Sequence, residues 1–406
     1  MPDHAIGFGS PDGEPIPIRD VSGAVVSYKK NVQGETVFSR MTVKGYLYYA
    51  HTMPGLEKLA WIEIRRRLDQ VSVEAFKELP GKNGLVLFRY VGQPVDLLEL
   101  RTAEDIFFLI ARIPKIKWGH QGLSQIYRAI SDNRFLGAGL SVHNRTHRIG
   151  NRHKQERTFR VISRMVGKNH PYRRIDLERV VEKGLKKRLG SKWRAVEAGE
   201  RIEIWANLVG LDFICGLRLS DASMRHRDYK KAHIAASLRP SVAASMVWLT
   251  EPQATDIFLD PMCGAGTLVV ERGIIEHHTL LLGGDADSAA LQAAAQNIGP
   301  KHKPRQLVKW DAGHLPLPSG SVDKVATNLP FGKKVGSQHD NVSLYRAFFR
   351  EVDRVLRPNG LAVVLSSETE LIKTTLRGLE GLQIVRGHSL RILGQEARIY
   401  LVERPS

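Results

Sequence analysis

Apolar, strand-like runs alternate with amphipathic, helix-like segments through the last third of the sequence, and this alternation constrains the fold more than any other feature. The pattern predicts strands at 257–260, 280–284, 306–310, 322–328, 361–366, 382–386 and 398–402. It predicts helices at 267–277, 288–297, 343–356 and 370–377. Strands that alternate with helices are typical of a parallel sheet covered by helices on both faces. We therefore expect an α/β domain over 241–406, with a seven-stranded sheet that ends in a hairpin.

Two smaller α/β modules and a polar connector are predicted before this domain. Residues 1–44 are rich in Pro, Gly, Asp and Ser, which predicts a flexible extension with one short strand near 24–28. The first module, 45–117, has predicted strands at 45–50 and 84–90 and helices at 55–68 and 95–113. The second, 118–219, has predicted helices at 123–130 and 176–189 and strands at 140–142, 157–165, 201–209 and 211–217. The connector, 220–240, ends in a helix predicted over 232–249.

Basic residues are concentrated in one part of the chain. The formal net charge is +18, and residues 145–194 contain 17 Lys and Arg against four Asp and Glu. A basic run is often only a solvated surface, but this density favours a binding site for a polyanion. RNA or DNA is therefore the expected partner.

The cysteine count and the lengths of the apolar runs bear on the cellular setting. Cys215 and Cys263 are the only cysteines, too few for a disulfide framework or a Cys-x-x-Cys metal site. The histidines show no spacing with acids or cysteines that indicates a metal site. No apolar run approaches the roughly 20 residues of a spanning helix. We expect a soluble, cytoplasmic protein with no metal and no membrane partner.

A turn with two glycines follows the first predicted strand of the C-terminal domain. The segment Asp260-Pro261-Met262-Cys263-Gly264-Ala265-Gly266-Thr267 leads straight into a helix, where open α/β sheets bind nucleotide-like cofactors. Gly264 and Gly266 allow the backbone to approach a ligand closely. Such a turn alone is equally consistent with a local structural role.

Two further signals lie at the ends of the next two strands. Asp285 follows the second strand and is the preferred acceptor for ribose hydroxyls, with Asp287 as the alternate. Trp310-Asp311-Ala312 follows the third strand and suits an adenine amino group and its stacking environment. The predicted cofactor-binding residues are Asp260, Met262, Cys263, Gly264, Ala265, Gly266, Thr267, Asp285, Ala286, Asp311, Ala312 and Asn328.

The tetrad Asn328-Leu329-Pro330-Phe331 follows the fourth strand and indicates the chemistry. An sp² amine is a poor nucleophile because its lone pair is delocalised. If the Asn328 side-chain oxygen and the Leu329 carbonyl accept its two N–H bonds, the lone pair can point at a methyl donor, while Phe331 stacks on the base. We predict these four residues to be catalytic in methylating an exocyclic or amide nitrogen. Cys263 lies in the cofactor turn and is interpreted as a small turn residue rather than a nucleophile.

With these motifs the chain resembles the THUMP-domain RNA guanine-N2-methyltransferases. The resemblance rests on the tetrad with the following Gly332-Lys333-Lys334-Val335-Gly336-Ser337, on 260–267, on 52–57, and on 159–161 with 173–177. It covers about 45–406 and implies a Rossmann-fold class I methyltransferase domain preceded by ferredoxin-like and THUMP α/β domains. Met262 departs from the glycine common at that position, and Leu329 replaces the first proline of the commoner Asn-Pro-Pro-Tyr form.

The resemblance implies S-adenosylmethionine as the cofactor, S-adenosylhomocysteine as its product, and tRNA as the partner. It implies that the THUMP domain holds the tRNA 3′ end while a guanine of the acceptor stem, at position 6, becomes N2-methylguanosine. Charge and resemblance together predict RNA contacts by Arg160, Lys168, Arg173, Arg174, Arg225, Arg227, Lys333 and Lys334. No family counterpart is known for the basic loop at 144–155.

Other interpretations stay open at the level of sequence. A non-catalytic RNA-binding protein would need a defective cofactor site, and the same chemistry would also suit ribosomal RNA, DNA adenine or a protein glutamine. Arg225 and Arg227 in the connector have two interpretations, a phosphate contact or a solvated linker. The sequence leaves the oligomeric state open, with a monomer favoured, and gives no indication of an activator subunit.

Overall fold

The structure, a computed structural model, describes residues 45–147, 156–167, 170–235, 237–330, 338–392 and 394–406, and two short strands before them. These are β1 (Lys29–Lys30) and β2 (Thr36–Val37), which pair antiparallel. The strand predicted at 24–28 lies outside the described residues, as does most of the basic loop at 144–155. Residues 44–406 form one compact unit, separate from 1–43.

An eight-stranded mixed sheet precedes the connector. Its strands are β3 (Tyr46–Thr52), β4 (Val71–Leu79), β5 (Asn83–Tyr90), β6 (Asp105–Ile113), β7 (Thr158–Val166), β8 (Arg194–Ala195), β9 (Ile202–Val209) and β10 (Asp212–Arg218), in the order β4-β5-β3-β6-β10-β9-β7-β8. The accompanying helices are α1 (Glu57–Arg67), α2 (His120–Ser131), α3 (Leu136–Thr146) and α4 (Arg174–Leu189). The antiparallel pairing of β6 with β10 joins the two predicted modules into one sheet across residue 117.

Two predicted elements in this part are wrong. The helix predicted at 95–113 is a 3₁₀ helix, Pro94–Glu99, followed by strand β6. Because β6 lies between β3 and β10 and is buried on both faces, its sequence lacks the alternation of a half-exposed strand. The strand predicted at 140–142 belongs to helix α3, which Gly139 allows to pack against Phe108: a Cβ there would lie 2.9 Å from the Phe108 ring. The edge strand β4 was not predicted.

The C-terminal domain has the predicted seven strands, and the α/β fold class is confirmed. The strands are β11 (Ile257–Asp260), β12 (Leu280–Asp285), β13 (Arg305–Lys309), β14 (Val322–Asn328), β15 (Leu356–Ser366), β16 (Gln383–Ile392) and β17 (Gln395–Glu403), in the order β13-β12-β11-β14-β15-β17-β16. The helices are α5 (Pro240–Leu249), α6 (Thr267–Ile275), α7 (Ser288–Ile298), α8 (Gln338–Val355) and α9 (Thr369–Arg377). The pairs from β13 to β15 are parallel, and β17 is antiparallel to both of its neighbours.

This strand order has a functional consequence. β11 pairs with β12 on one side and with β14 on the other, so the chain order reverses at β11. A crevice opens at the carboxyl ends of the strands at such a reversal, and ligands bind there in open α/β sheets. The fold therefore places the turn after β11 and the tetrad after β14 at one edge. None of the described helices is long and apolar enough to cross a membrane.

The two sheets are joined by a shared core and by buried charge pairs. Met53, Leu56 and Leu59 pack into the same apolar cluster as helix α5. The Arg101 guanidinium donates to both carboxylate oxygens of the fully buried Glu271 in α6, at 2.9 Å each. Tyr229 donates to the same carboxylate at 2.7 Å. The N-terminal sheet is thus bonded directly to the helix that begins at the predicted cofactor turn.

Candidate functional site

The turn after β11 has the backbone geometry expected of a cofactor-binding turn. Gly264 and Gly266 have φ angles of +51° and +75°, a region that favours glycine. The Gly264 N–H donates to Asp285 Oδ2 at 2.9 Å, and the Cys263 N–H donates to the Gly284 carbonyl at 2.8 Å. These bonds hold the turn against the end of β12, the strand that carries the predicted ribose acceptor.

A cavity of about 380 Å³ lies at this edge of the sheet. Its walls include every predicted cofactor-binding residue except Gly266, namely Asp260, Met262, Cys263, Gly264, Ala265, Thr267, Asp285, Ala286, Asp311, Ala312 and Asn328. Gly266 instead allows α6 to pack on α7, since a Cβ there would lie 3.1 Å from the Ala294 Cβ. The volume is within the range of small-molecule sites, which is about 300–1,000 Å³.

The structure distinguishes the two acids after β12. Asp285 lines the cavity, whereas the Asp287 carboxylate caps helix α7 by accepting the Ala289 N–H at 2.8 Å. Asp285 Oδ1 also accepts the Asp287 N–H at 3.0 Å, which fixes the carboxylate in place. Asp285, the preferred choice, is therefore the acid available to a ligand.

Asp260, the last residue of β11, has an unusual electrostatic environment. Its side chain is buried, and burial raises the pKa of the carboxyl to about 8, with Asp285 adding to the rise. The Met262 N–H is 3.4 Å from Asp260 Oδ1. A cationic group in the cavity would favour the ionised carboxylate, so Asp260 can couple ligand charge to pH.

Of the residues after β13, Asp311 lines the cavity and Trp310 supports the turn. Asp311 lines the cavity, but its Oδ1 accepts the Gly313 N–H at 2.8 Å and its side chain is 66 % exposed. Trp310 does not line the cavity: it packs against Gly284 and donates to the Pro261 carbonyl at 3.0 Å. Trp310 therefore supports the turn and does not provide the stacking environment expected of it.

The tetrad begins at the last residue of β14. Asn328 lines the cavity, and its Oδ1 is buried with no hydrogen-bond partner among the residues that the structure describes. Leu329 is fully buried and donates its N–H to the Leu365 carbonyl at 3.1 Å, while Pro330 lines the cavity. Phe331 lies outside the described residues. A buried acceptor with no donor is costly, and it marks a place where a ligand N–H would bind.

Three features of the site were not predicted. Tyr345 in α8 donates to the Pro330 carbonyl at 2.9 Å and bonds Ser366 Oγ at 2.8 Å. The helix predicted over 232–249 begins only at Pro240. Four residues that precede it line the cavity: Ile234, Ala235, Ser237 and Leu238.

Asn297 in α7 forms hydrogen bonds with both the end of the connector and the cofactor turn. Its amide nitrogen donates to the Ala232 carbonyl at 3.0 Å and to the Ala265 carbonyl at 2.9 Å, and its oxygen accepts the Ala232 N–H at 2.8 Å. One buried side chain thus ties the connector to the cofactor turn. No local sequence signal marks such long-range contacts.

The environment of Cys263 agrees with its interpretation as a turn residue. The thiol is buried, burial raises its pKa, and its contact with the Gly264 carbonyl oxygen is 3.8 Å. A nucleophilic cysteine needs a stabilised thiolate, which this environment opposes.

The predicted RNA contacts differ in accessibility. Arg173 and Arg174 are well exposed, at 80 % and 58 %, and Arg160 is half-exposed, 3.9 Å from Glu200. Arg225 is ion-paired with the buried Asp105. Lys168, Lys333 and Lys334 lie outside the described residues.

The prediction for Arg227 requires correction. Its side chain is 7 % exposed, and its guanidinium donates to the carbonyls of Leu100, Arg101 and Ala103 at 3.0–3.4 Å. It joins the connector to the N-terminal sheet and does not face solvent, so it has no surface to offer RNA.

Comparison with known proteins defines the C-terminal part. Residues 227–389 match the family described as RMKL-like, methyltransferase domain. This part of the chain is therefore similar to the methyltransferase domains of that family. The crystal structure of TrmN from Thermus thermophilus has the same fold, with a TM-score of 0.69, 23 % identity, and coverage of 88 % of this chain and 99 % of that one.

Two curated relatives extend the comparison. A Bos taurus protein named tRNA (guanine(6)-N(2))-methyltransferase THUMP3 is 33 % identical over 229 residues, 52 % of this chain and 45 % of the relative. A Bos taurus protein named U6 snRNA (guanine-N(2))-methyltransferase THUMPD2 is 32 % identical over 227 residues, which are 55 % of this chain and 43 % of the relative. The chain spans about half the length of these curated relatives. These relatives confirm the resemblance to guanine-N2-methyltransferases that the motifs predict.

Proposed function

We propose that the protein transfers a methyl group from S-adenosylmethionine to N2 of a guanine in tRNA. The observation that carries this proposal is the buried, unpartnered Oδ1 of Asn328, which lines the same cavity as the turn after β11. An amine nitrogen would satisfy that oxygen and lie beside the methyl donor. The names of the relatives support guanine N2 as the nitrogen.

Two acceptors are needed to orient an exocyclic amine. Asn328 Oδ1 supplies the first. We assign the second acceptor to the Leu329 carbonyl; the Pro330 carbonyl accepts a hydrogen bond from the Tyr345 hydroxyl. Two accepted N–H bonds hold the amine so that its lone pair points into the cavity, and this positioning supplies much of the rate without a covalent nucleophile.

The residues of the cavity fit the proposed cofactor. Asp285 suits ribose hydroxyls, and the turn at Gly264 has space for close backbone contact. Asp260 suits an ammonium group. When bound, S-adenosylmethionine would supply an electrophilic methyl group to the amine nitrogen and leave as S-adenosylhomocysteine, with the amine proton released to solvent. Ile234, Ala235, Ser237 and Leu238 line the same cavity.

The N-terminal sheet is proposed to bind the tRNA. Its support is the basic run at 145–194, of which Arg173 and Arg174 are exposed. By resemblance, we propose that this THUMP region holds the 3′ end and that the target lies in the acceptor stem, at position 6. A paired guanine must leave its stack, which costs a few kcal/mol that phosphate contacts can offset.

Product analysis tests this proposal. The protein is incubated with labelled S-adenosylmethionine and, separately, unmodified tRNA and a U6 snRNA transcript, and the nucleosides and their positions are identified by mass spectrometry. We expect N2-methylguanosine in tRNA. If only the snRNA were labelled, the substrate would be the one in the name of the THUMPD2 relative and not tRNA. No label in either RNA would contradict the proposal.

The cellular setting completes the proposal. We propose that the protein acts in the cytoplasm as a monomer; its two free, buried cysteines agree with a reducing compartment. Light scattering of the purified protein and activity without added partners test this. A dimer, or activity only with a second protein, would contradict it.

A further inference from the structure

Trp118 is the most exposed large apolar side chain that the structure describes, with 57 % of its surface accessible. It lies in the loop between β6 and α2, far in sequence from the tetrad. Exposure of a whole indole opposes the hydrophobic effect, and such residues mark interaction sites when polar or charged groups surround them. The surroundings of Trp118 therefore indicate what kind of partner it contacts.

Trp118 is supported on one side by two further rings. Its ring centroid is 6.1 Å from that of His170, and the two planes are inclined by only 16°. Tyr172 follows at 5.6 Å from His170 and is itself buried. His170 lies beside the indole in a nearly parallel orientation, and more than half of the Trp118 surface remains accessible. The indole therefore offers an accessible, flat aromatic surface.

The groups around this surface are cationic. Lys115 and Lys117 are exposed on the same loop, His120 is exposed at the start of α2, and Arg173, next to Tyr172, is 80 % exposed. Lys115 and Lys117 form no ion pair with any of the residues that the structure describes, and the Arg173 guanidinium is 3.7 Å from Asp176. An open aromatic face beside unpaired cations complements a ligand that carries both flat rings and negative charge.

We propose that Trp118 is a stacking site for an unpaired nucleotide of the RNA substrate, with Lys117 and Arg173 contacting the flanking phosphates; this rests on the proposed function in so far as RNA is the substrate. Stacking on an aromatic side chain needs an exposed base face, which a continuous duplex does not provide. The partner of this site is therefore a single-stranded segment.

Binding of two RNA hairpins tests the proposal. One hairpin ends in an unpaired 3′ extension and the other ends flush. Their affinities for the full chain are measured by fluorescence anisotropy for the wild type, Trp118→Ala, Trp118→Phe and Phe135→Ala. Phe135 is the matched control, because it is 42 % exposed beside Arg134 but lies outside the stack of three rings.

We expect Trp118→Ala to weaken binding of the extended hairpin by about 5- to 150-fold, the range for losing one stacked base. Trp118→Phe should retain most of the affinity, Phe135→Ala should match the wild type, and the flush hairpin should bind all four proteins alike. Unchanged affinity of Trp118→Ala for the extended hairpin would overturn the proposal, as would an equal loss with the flush one. Methyl transfer by the wild type is measured in parallel, so its absence would count against the proposed function alone.

Discussion

The hydroxyl of Tyr345 donates a hydrogen bond of 2.9 Å to the carbonyl of Pro330. The same hydroxyl bonds Ser366 Oγ at 2.8 Å, and Ser366 Oγ accepts the Glu368 N–H at 2.9 Å. The tetrad is therefore fixed from behind by a chain of bonds from α8 to the end of β15. Tyr345 is not among the residues that line the cavity, so we assign it a positioning role.

Tyr345→Phe removes this bond and should lower kcat by about tenfold, the effect of losing one or two hydrogen bonds, with little change in S-adenosylhomocysteine affinity. Tyr400→Phe is the matched control, because the Tyr400 hydroxyl is buried and none of the described residues forms a hydrogen bond with it. Single-turnover rates and calorimetric titration measure the two quantities. An equal loss in both variants, or a loss of cofactor affinity alone, would argue against the positioning role.

The raised pKa of Asp260 predicts that cofactor binding depends on pH. Below pH 8 the free protein holds a proton on Asp260, and an ammonium group in the cavity favours the ionised form, so binding releases that proton. The affinity for S-adenosylhomocysteine should then rise by up to about tenfold per pH unit below 8 and level off above it. Asp260→Asn should bind with no such dependence. Wild-type affinity that stays constant from pH 6 to 9 would exclude this linkage.

The pairing of Arg101 with Glu271 predicts a strong effect on stability. Glu271→Ala leaves the largely buried guanidinium of Arg101 without its partner and should lower the free energy of unfolding by about 3–5 kcal/mol. The double variant Arg101→Met with Glu271→Met removes both charges and should recover part of that loss. Denaturant titration measures both. If Glu271→Ala unfolded at the wild-type midpoint, the pair would not hold the two sheets together.

Variants at Arg173 and Arg174 should change RNA affinity, whereas a variant at Arg227 should change stability. The double variant Arg173→Ala with Arg174→Ala should weaken tRNA binding. It should also reduce the slope of log affinity against log salt concentration by about two, one for each lost phosphate contact. Arg227→Met should leave that slope unchanged but destabilise the fold by about 1–3 kcal/mol, because three backbone carbonyls lose their donor. Filter binding over a salt series and denaturant titration test the pair. A reduced slope for Arg227→Met would show that it does reach RNA.

The sequence predicts the C-terminal domain well because its signals are local. The predicted strand at 322–328 has the observed bounds of β14, and the turn at 260–267 and Asp285 lie at strand ends as predicted. The central strand β6 was not predicted: both of its faces are covered, so its sequence has no alternation and resembles that of a buried helix.

Contacts between distant segments could not be predicted from the sequence. Asn297 ties Ala232 to Ala265, Tyr345 supports Pro330, and Arg227 is buried between the connector and the N-terminal sheet. Each of these roles depends on tertiary packing. A charge count identifies Arg227 as a cation, but only the fold shows that its surroundings are backbone carbonyls.

The central claim is that the side-chain oxygen of Asn328 holds the nitrogen that is methylated. The most direct test measures single-turnover methyl transfer to tRNA by Asn328→Ala, together with its affinities for tRNA and S-adenosylhomocysteine. The account predicts that transfer falls by at least about 10²-fold, as when one transition-state hydrogen bond is removed, while both affinities stay near the wild type. Transfer at the wild-type rate by Asn328→Ala would contradict it.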